Sequence, residues 1–444
     1  MRSHKLLTFL LCLITDPAIA GYMTLLGAGT GLSPVVTWTA PDAFPSSVLT
    51  ITRASSGTYF NSSGVITVAG NDTARIDYNP STLTPAGLLI EESRVNSVIN
   101  NTNPAVWSVS GVTNITGITD PQALTKAATI TAGAGAGYHY TFQTGATASA
   151  AQARVISVYV KQGTAAYVNF GASGDASWHT GWMKWSDFST GSTNGTISVQ
   201  QCANGYYRLS LAFTMTNAVP VLPYVGPDTA PRATAPNYTA TGTETVIAWG
   251  LQDEPGTMST SLIITAGSAA ARQGDLITPT STFLTALQAT TGTLIVQVAD
   301  SGGFGATGAV LVGSTSDYWL NLLGAQIYSR SGGVNLNTNN FAVAGSPYRA
   351  GISWTTGSRS IVMNGGVVIT DTASGLGVQS PYLGSLAGNF YLNGHITSFA
   401  GYNKKLPDNI LQAKSVLNAS YANSNYKTYT FMNDNAPLSW RISL

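Results

Sequence analysis

Apolar and polar residues alternate in many short segments along this chain. Residues 154–161 and 294–299 follow a clean period of two. The clearest example is 207–214, which places Tyr207, Leu209, Leu211 and Phe213 on one face and Arg208, Ser210, Ala212 and Thr214 on the other. Successive side chains of a β-strand point to opposite sides, so this spacing predicts strands with one buried face. The chain as a whole is therefore predicted to be all-β.

Turn signals separate these segments. Ser62-Ser63-Gly64 and Asn364-Gly365-Gly366 predict hairpin turns, because Gly and Asn accept the left-handed backbone that tight turns need. Residues 129–137 are rich in Ala and Gly and are expected to form a loop leading into a strand at 138–143. The one predicted helix spans 407–416, with a proline in its first turn and one apolar face.

The stretch 249–275 is predicted to be the boundary between two β-domains. A strand at 245–251 is expected to close a sheet and to end at Pro255-Gly256, since proline removes a backbone donor and glycine favours a turn. The apolar run 262–264 can return to the first core, and 266–273 has the small polar composition of a linker.

Charged residues make up only 9% of the 444-residue chain, and the net charge is +1. Lys and Arg form no runs, which argues against a nucleic-acid partner and against electrostatic binding to anionic membranes. A hydrophobic content of 44% excludes general disorder. Of the two cysteines, Cys12 lies in the N-terminal apolar run, which leaves Cys202 without a disulfide partner.

Five of the few charged residues are concentrated in the N-terminal part of the chain. They are Arg53, Arg75, Glu91, Glu92 and Arg94. These residues can form a polar functional site or a structural network of salt bridges that holds this segment to the next domain. The structural interpretation is favoured.

Motifs for catalysis are absent from the sequence. There is no G-x-S-x-G nucleophile elbow, no H-E-x-x-H zinc motif, and no EF-hand or P-loop pattern. Glycoside hydrolysis needs two carboxylates facing one bond, whereas the adjacent Asp253 and Glu254 point to opposite faces of a strand. His395 lies within a predicted strand and is expected to be structural. The sequence favours a non-catalytic protein, with an active site built from distant His, Tyr and Arg residues left open.

The segment 175–185 suggests glycan binding, which uses aromatic rings against sugar C–H faces beside neutral hydrogen-bonding groups. Trp178 and Trp182 are candidates for exposed rings, with Asp175 and His179 beside them, and Trp185 is expected in the core. The alternative, that all three tryptophans fill core or interface space, is weighed equally. A weaker candidate in the second domain consists of Tyr318 and Trp319, where a core position is favoured.

Two stretches resemble tail-fibre and other surface proteins of tailed bacteriophages and prophages. At the domain boundary the matching positions are Trp249, Gly250, Gln252, Glu254, Gly256, Ser261, Ile263, Thr265, Arg272 and Asp275. Asp253 and Leu262 depart from that pattern, which has an apolar residue and a tyrosine there. In the N-terminal segment the matching positions are Thr50, Arg53, Ala54, Ser55, Thr58, Tyr59, Phe60, Gly64, Ile66, Ala74, Arg75, Asp77, Tyr78, Pro80, Gly87 to Glu92, Arg94 and Asn96.

The two large domains carry further resemblances. The first is similar to the carbohydrate-binding-module-like jelly roll of phage fibres at Tyr159 to Lys161, Phe188, Gly191 and Gly205 to Ser210. The second is similar to laminin-G-like, concanavalin-A-like sandwiches at Ser360 to Gly366, Tyr382 to Gly384, Leu392 to Ile396 and Tyr402 to Asp408. Together the resemblances cover nearly all of 35–417.

The resemblance implies two β-sandwich domains preceded by a small β-rich N-terminal module. The module would span 21–97 and attach to or fold against the first sandwich, a jelly roll at 98–265. A laminin-G-like, concanavalin-A-like sandwich would follow at 276–420, and 421–444 would be a polar tail with a closing strand.

Residues 1–20 allow two interpretations. A basic start, an apolar run at 6–14 and small residues at 18–20 are typical of a signal peptide. However, the residues from Met23 onward resemble the usual start of these phage proteins, so the first residues can equally be an over-extended gene start.

The resemblance further implies a non-catalytic, tail-fibre-like protein of the virion surface that binds host-surface glycan. Its location would be the virion or the extracellular space, its partners a host polysaccharide and other virion proteins, and its assembly a homo-oligomer such as a trimer. A polysaccharide depolymerase stays open as an alternative, as does a secreted bacterial lectin or structural decoration protein.

No cofactor is expected apart from calcium. Jelly rolls often hold a structural calcium ion, for which Asp120, Asp253 and Asp371 offer carboxylates in predicted loops but no ligand motif.

Overall fold

A computed structural model describes residues 33–287, 290–301, 309–313, 318–323, 326–331, 334–338, 347–373, 382–385, 391–417, 426–433 and 436–443. The predicted leader at 1–20 lies outside these residues. Within them, none of the helices has the length and apolar character needed to cross a membrane.

The described residues form 35 strands and two α-helices, with two single-turn 3₁₀ helices at Pro104–Val106 and Ala203–Gly205. The N-terminal strands are β1 (Val36–Thr39), β2 (Leu49–Thr52), β3 (Gly57–Phe60), β4 (Ile66–Ala69), β5 (Ile76–Tyr78), β6 (Pro85–Ile90) and β7 (Arg94–Asn96). The next group is β8 (Ser108–Ser110), β9 (Val112–Ile118), β10 (Ala127–Ala132), β11 (Gly135–Tyr138), β12 (Tyr140–Phe142), β13 (Ala153–Gln162), β14 (Tyr167–Ser173), β15 (His179–Lys184), β16 (Thr190–Thr193), β17 (Thr196–Gln201), β18 (Tyr206–Thr214), β19 (Leu222–Asp228), β20 (Asn237–Ala240) and β21 (Thr245–Pro255).

The remaining elements follow the predicted boundary. They are β22 (Ala270–Arg272), β23 (Leu276–Pro279), α1 (Ser281–Leu287), β24 (Gly292–Ser301), β25 (Ala309–Gly313), β26 (Tyr318–Leu323), β27 (Gln326–Ser331), β28 (Val334–Asn337), β29 (Tyr348–Thr355), β30 (Ser358–Met363), β31 (Ile369–Asp371), β32 (Tyr382–Leu383), β33 (Gly394–Tyr402), α2 (Asp408–Lys414), β34 (Tyr426–Asn433) and β35 (Ala436–Ser443). The all-β class with two sandwiches is thereby confirmed.

The first sandwich consists of two six-stranded antiparallel sheets. Sheet I has the order β17-β18-β13-β21-β10-β9, and sheet II has the order β16-β15-β14-β19-β12-β8. Alternate residues of both sheets point inward and form one apolar core, in which Ile156, Val158, Phe170, Leu209 and Leu211 are fully buried. The outer faces of the two sheets are therefore free to carry polar side chains.

The second sandwich is built from two separate parts of the chain. Its eight-stranded sheet III runs β31-β30-β29-β24-β33-β6-β5, with β1 also paired to β33, and its seven-stranded sheet IV runs β2-β23-β32-β25-β26-β27-β28. Four N-terminal strands thus belong to this sandwich, where Trp38, Leu49 and Leu88 share a core with Leu294 and Ile352. The first sandwich is accordingly an insertion within the second.

This arrangement differs from the expected module that folds against the first sandwich. The β3–β4 hairpin packs there, with Phe60 and Ile66 against Tyr159, Trp249 and Leu262. Strand β7 also lies against β21, where Asn96 Oδ1 accepts a hydrogen bond from the Asp253 N–H at 3.1 Å. Strands β1, β2, β5 and β6 instead have apolar residues that complete the two sheets of the second sandwich. Sequence alternation gives the face of a strand but not the sheet that it joins.

Several local predictions are confirmed. Hairpins form at Gly64, between β3 and β4, and at Asn364-Gly365, between β30 and β31, where all three residues have positive φ. Helix α2 begins directly after Pro407 and buries Leu411. The apolar run at 262–264 does return to the first sandwich.

Other local predictions were wrong. The expected loop at 129–137 consists largely of strands β10, which lies between β9 and β21, and β11, which pairs with β20. Strand β21 lies inside sheet I, between β13 and β10, and does not close it. The expected linker contains β22, and helix α1 was not anticipated. In the tail, β34 pairs with β35 in a two-stranded sheet of their own.

The structure explains why position 250 of the boundary motif is a glycine. It lies in the middle of β21 with φ +66°, where the register against β13 shifts between Ser157 and Tyr159. A Cβ atom at this position would lie 2.9 Å from the Tyr159 ring. Glycine therefore permits a β-bulge that brings the two strands close together.

A buried cluster of ion pairs lies where the two sandwiches meet. Arg53 Nη1 is 2.7 Å from Asp275 Oδ1, and Arg75 Nη1 is 2.7 Å from Glu91 Oε2. Arg75 also pairs with Asp275, and Arg272 Nε lies 3.5 Å from Glu91. These five residues, called the junction cluster below, are at most 5% exposed. The predicted structural network is thus present, while Glu92 and Arg94 pair only with each other among the residues described.

Arg75 and Glu91 of the junction cluster are held in their charged forms despite burial. Burial alone lowers the pKa of Arg75, but Asp275 and Glu91 outweigh it and raise that pKa above its usual value. Burial likewise raises the pKa of Glu91, whereas Arg272, Arg75 and hydrogen bonds from Ser261 lower it below its usual range. At Arg53 burial outweighs the attraction of Asp275 and lowers the pKa. Removing Arg75 or Glu91 therefore leaves the partners of that residue without compensation.

Replacing Arg75 should destabilise the protein strongly. We expect Arg75→Met to lower the free energy of unfolding by about 3–5 kcal/mol, because Glu91 and Asp275 would remain buried without their main partner. The measurement is chemical denaturation followed by fluorescence. Lys184→Met is the matched control, since Lys184 and Asp187 form an exposed pair 3.1 Å apart, and it should change nothing measurable. Equal effects of the two variants would contradict a stabilising role for the cluster.

Candidate functional site

The outer face of sheet I carries short neutral side chains in regular rows. Strands β17 and β18 pair Thr196 with Ala212, Ser198 with Ser210, and Gln200 with Arg208. All six point away from the core, because Leu209, Leu211 and Phe213 occupy the inward positions of β18. This is the polar face that the alternation of 207–214 predicts.

A groove of about 1000 Å³ lies on this face. Its floor is formed by the first two rows together with Ala153 and Val155 of β13. The loops at 177–179 and 194–195 close one end, and residues 257–259 form the other wall. The groove is at the upper end of the volumes usual for ligand sites.

Ten of the sixteen residues that line the groove carry polar side chains. They are Ser177, His179, Asn194, Thr196, Ser198, Ser210, Thr214, Thr216, Thr257 and Ser259. None of them is a carboxylate, and all except His179 are hydroxyls or amides. Hydroxyls and amides both donate and accept, so the lining suits a ligand rich in hydroxyl groups.

Asp175 and His179 have structural positions beside the groove. The His179 ring is buried, stacks on Phe213 with centroids 4.3 Å apart, and bonds through Nδ1 to the Asn194 carbonyl at 2.7 Å. Its Nε2 lies 3.1 Å from Asp175 Oδ2. The backbone N–H groups of Thr216 and Asn217 also donate to Asp175, at 2.6 and 3.0 Å. These two candidates therefore hold the loop that closes the groove.

The hydrogen bonds of Asp175 shift its titration. Burial raises the pKa of this carboxyl, but donors from Thr216, His179, Ala176 and Asn217 outweigh it and hold the pKa below its usual range. The ionised form is thus part of the folded loop.

Trp178 and Trp182 are both half-buried and point to the outer face of sheet II, away from the groove. Trp178 stacks on Tyr138 at 6.4 Å and meets the edge of Tyr224 at 5.7 Å. Trp182 packs edge-on against Tyr167 at 5.9 Å. The structure therefore separates the two tryptophans from the hydroxyl groups, and Trp185 lies in the core as expected, only 4% exposed.

The remaining candidates of the second domain do not join this site. Tyr318 and Trp319 begin strand β26, and their side chains lie outside what the structure describes. His395 bonds through Nε2 to Asp77 Oδ2 at 2.9 Å, in keeping with the structural role expected of it.

The three aspartates considered for calcium are far from one another and have protein partners. Asp120 accepts hydrogen bonds from the backbone of Gln122, Leu124 and Lys126. Asp253 lies within β21, not in a loop, and pairs with Arg154, while Asp371 ends β31 and pairs with Arg359. Across the described ranges, no three His, Cys, Asp or Glu side chains come together as metal ligands would.

The groove residues themselves were missed by sequence reasoning. The aromatic residues drew attention to 175–185, whereas serines and threonines of β17 and β18 form the floor of the groove. The period of two in β18 was the available signal, because it placed Ser210 and Ala212 on an outward face.

Comparison with solved structures finds similarity to carbohydrate-binding modules. One is the CBM40 module of the Ruminococcus gnavus IT-sialidase, bound to α2,3-sialyllactose, with 16% identity, a TM-score of 0.27, and coverage of 30% of this chain and 87% of that one. Another is the CBM22-1 xylan-binding domain of Xyn10C from Paenibacillus barcinonensis, with 12% identity, a TM-score of 0.24, and coverage of 39% and 98%. No protein-family model matches the sequence, and neither does any curated protein. Values this low do not assign a ligand, so the ligand of this chain is inferred from its own surface.

Replacing Asp175 should change how stability depends on pH. Because the folded pKa is below the unfolded value of about 3.9, ionised Asp175 stabilises the protein above that pH and this contribution disappears on acidification. We therefore expect Asp175→Asn to be less stable than the parent at pH 7 and the difference to shrink towards pH 3, as measured by urea denaturation. Thr216→Ala, which keeps the backbone donor, should give a difference independent of pH. A constant difference for Asp175→Asn would contradict the assignment.

Proposed function

We propose that this chain is a non-enzymatic glycan-binding protein of a phage or prophage virion, comparable to a tail fibre. The groove on sheet I would bind glycan of the host surface, and the second sandwich would support it. The virion assignment rests on the matching positions in the N-terminal segment and at the domain boundary.

The observation that carries glycan binding is the chemistry of the groove. A cleft of about 1000 Å³ with ten neutral or weakly basic polar lining residues offers sugar hydroxyls many partners and no strong charge. The apolar carbons of Val155, Ala212 and Phe213 contact the same space and suit the C–H faces of sugar rings. Such a set binds weakly at one site, and several copies on a particle would bind together much more strongly.

The lining also favours binding over hydrolysis. Most enzymes that hydrolyse a glycosidic bond use a pair of carboxyl groups about 5–10 Å apart. The groove has none, and the nearest carboxylate, Asp175, is occupied by His179 and three backbone donors. Release of reducing ends from bacterial polysaccharide by the purified protein would instead support a depolymerase.

Filling the groove should abolish glycan binding. Ser198 is exposed on β17 at the groove floor, so we expect Ser198→Trp to fold normally and to weaken binding at least about tenfold, or roughly 1.4 kcal/mol. The measurement is a glycan array followed by calorimetry with the strongest binder. Thr116→Trp, at an exposed position on β9 at the opposite edge of sheet I, is the matched control and should bind as the parent does.

The aromatic residues of sheet II provide the competing location. If Trp178→Ala abolished binding while Ser198→Trp did not, the ligand would lie on the face formed by Trp178, Tyr138 and Tyr140, and the groove would be excluded. If the parent protein itself binds no glycan, the chain would be a structural decoration protein. Neighbouring tail and lysis genes would favour the virion over a secreted lectin.

A further inference from the structure

A second, smaller cavity continues the groove along the same face of sheet I. It has a volume of about 200 Å³, and it shares Met258 and Ser259 with the groove. Its floor is the next row of β17 and β18, Gln200 beside Arg208, one strand repeat of about 7 Å beyond Ser198 and Ser210. A chain-like ligand in the groove would therefore reach this cavity directly.

The cavity lies between the two sandwiches. Tyr59 and Phe60 of the β3 hairpin form one wall, and Asn393 and His395 of the second sandwich form another. Residues from three distant parts of the sequence thus enclose a space that neither sandwich would form alone.

Arg208 is the unusual group in this cavity. It is only 7% exposed, its guanidinium lies over the Tyr159 ring at 5.3 Å, and Nη2 donates to Ser157 Oγ at 2.9 Å. Its buried Nε has no hydrogen-bond partner, and no carboxylate lies within 4.0 Å of it among the described residues. A buried guanidinium with no carboxylate in ion-pair contact is costly, and an anionic ligand that makes such a contact would offset that cost.

The surrounding carboxylates already have their own partners. Asp77 bonds to His395 and to the Phe60 N–H, and Glu91 belongs to the junction cluster. Glu254 is held by hydrogen bonds from Thr260 and Gln252. Burial raises its pKa, while Thr260, the nearby charge of Arg208 and Gln252 act in the opposite direction. The junction cluster itself contains three guanidinium groups and two carboxylates, so it adds positive charge to this region.

We infer that this cavity binds an anionic group of the glycan that occupies the groove, with Arg208 as the residue that selects acidic over neutral sugars. The inference rests on the proposed function and names its substrate class: a polysaccharide that carries a carboxylate or a phosphate. The planar guanidinium fork matches either group, and the half-buried Tyr59 ring can cover the sugar that bears it.

The first test compares glycans that differ only in charge. An array of neutral, carboxylated and phosphorylated bacterial oligosaccharides should give binders that are predominantly acidic. If the strongest binder is carboxylated, its carboxyl-reduced form should bind about 10- to 100-fold more weakly, as expected for a charge-assisted hydrogen bond. Treatment with phosphatase provides the same comparison for a phosphorylated binder. Equal binding of the charged and neutral forms would overturn the inference.

The second test changes the charge at the cavity without disturbing its interior. Gln200 is exposed and lies directly opposite Arg208, so Gln200→Glu should weaken binding of the acidic glycan about tenfold, and Gln200→Lys should preserve or strengthen it. Thr116→Glu on β9 adds the same charge far from the cavity and should have no effect. If Gln200→Glu and Gln200→Lys bind the acidic glycan equally, the inference fails.

Arg208 is then replaced directly. Arg208→Gln should lose the preference for the acidic glycan over its neutral form, and Arg208→Lys should regain part of it. Circular dichroism and thermal unfolding show whether each Arg208 variant folds. If these variants do not fold, the comparison of Gln200→Glu with Gln200→Lys decides whether the inference holds. Failure to bind any glycan would refute the proposed function itself, whereas tight binding of neutral glycans with no effect of Arg208 or Gln200 would refute only this inference.

Discussion

The structure depends on charges buried where its two sandwiches meet. Arg53, Arg75 and Arg272 surround Glu91 and Asp275 at a place from which water is excluded. Removing such groups from water is expensive, and only close pairing with several hydrogen bonds compensates for it. In a chain with 9% charged residues, so many charges at one point make the relative placement of the sandwiches specific. An apolar contact of the same area would let the two sandwiches shift against each other. The ion pairs of the junction cluster, in contrast, form well in only one relative position of the sandwiches.

The junction cluster also shapes the face that carries the groove. Glu91 accepts hydrogen bonds from the backbone and the hydroxyl of Ser261, at 2.6 Å each. Thr260 is held in turn by Glu254. These contacts fix residues 257–261, which form a wall of the groove and of the second cavity. The same charges that join the sandwiches thereby position the loop between the two cavities.

Much of the fold could be predicted, because local alternation determines which face of a strand is buried. The strand at 207–214, the hairpin at Asn364-Gly365 and helix α2 all follow from patterns within a few residues. The partner of each strand could not be predicted, since it depends on contacts between distant residues. Strands β1, β2, β5 and β6 have ordinary strand sequences, and only the shared core shows that they complete the second sandwich.

The site was harder to predict than the fold. The pattern at 175–185 drew attention to a segment in which Ser177 and His179 line the groove. It did not reveal that Trp178 points to the outer face of sheet II, away from the groove that His179 lines. Nor could sequence show that Arg208 has no carboxylate in ion-pair contact, because that depends on the positions of Asp77, Glu91 and Glu254, which lie up to about 130 residues away in the chain.

The pairing of β7 with β22 has a consequence for how such chains can diversify. Arg94 lies opposite Arg272 and Asn96 opposite Ala270, so the chain leaves the second sandwich and returns to it along one narrow ribbon. Everything between is a cassette with adjacent ends, the arrangement in which whole domains are most readily inserted. A different domain could be grafted onto that ribbon without redesigning the second sandwich, which would give a chimaera with a new upper domain on an unchanged base.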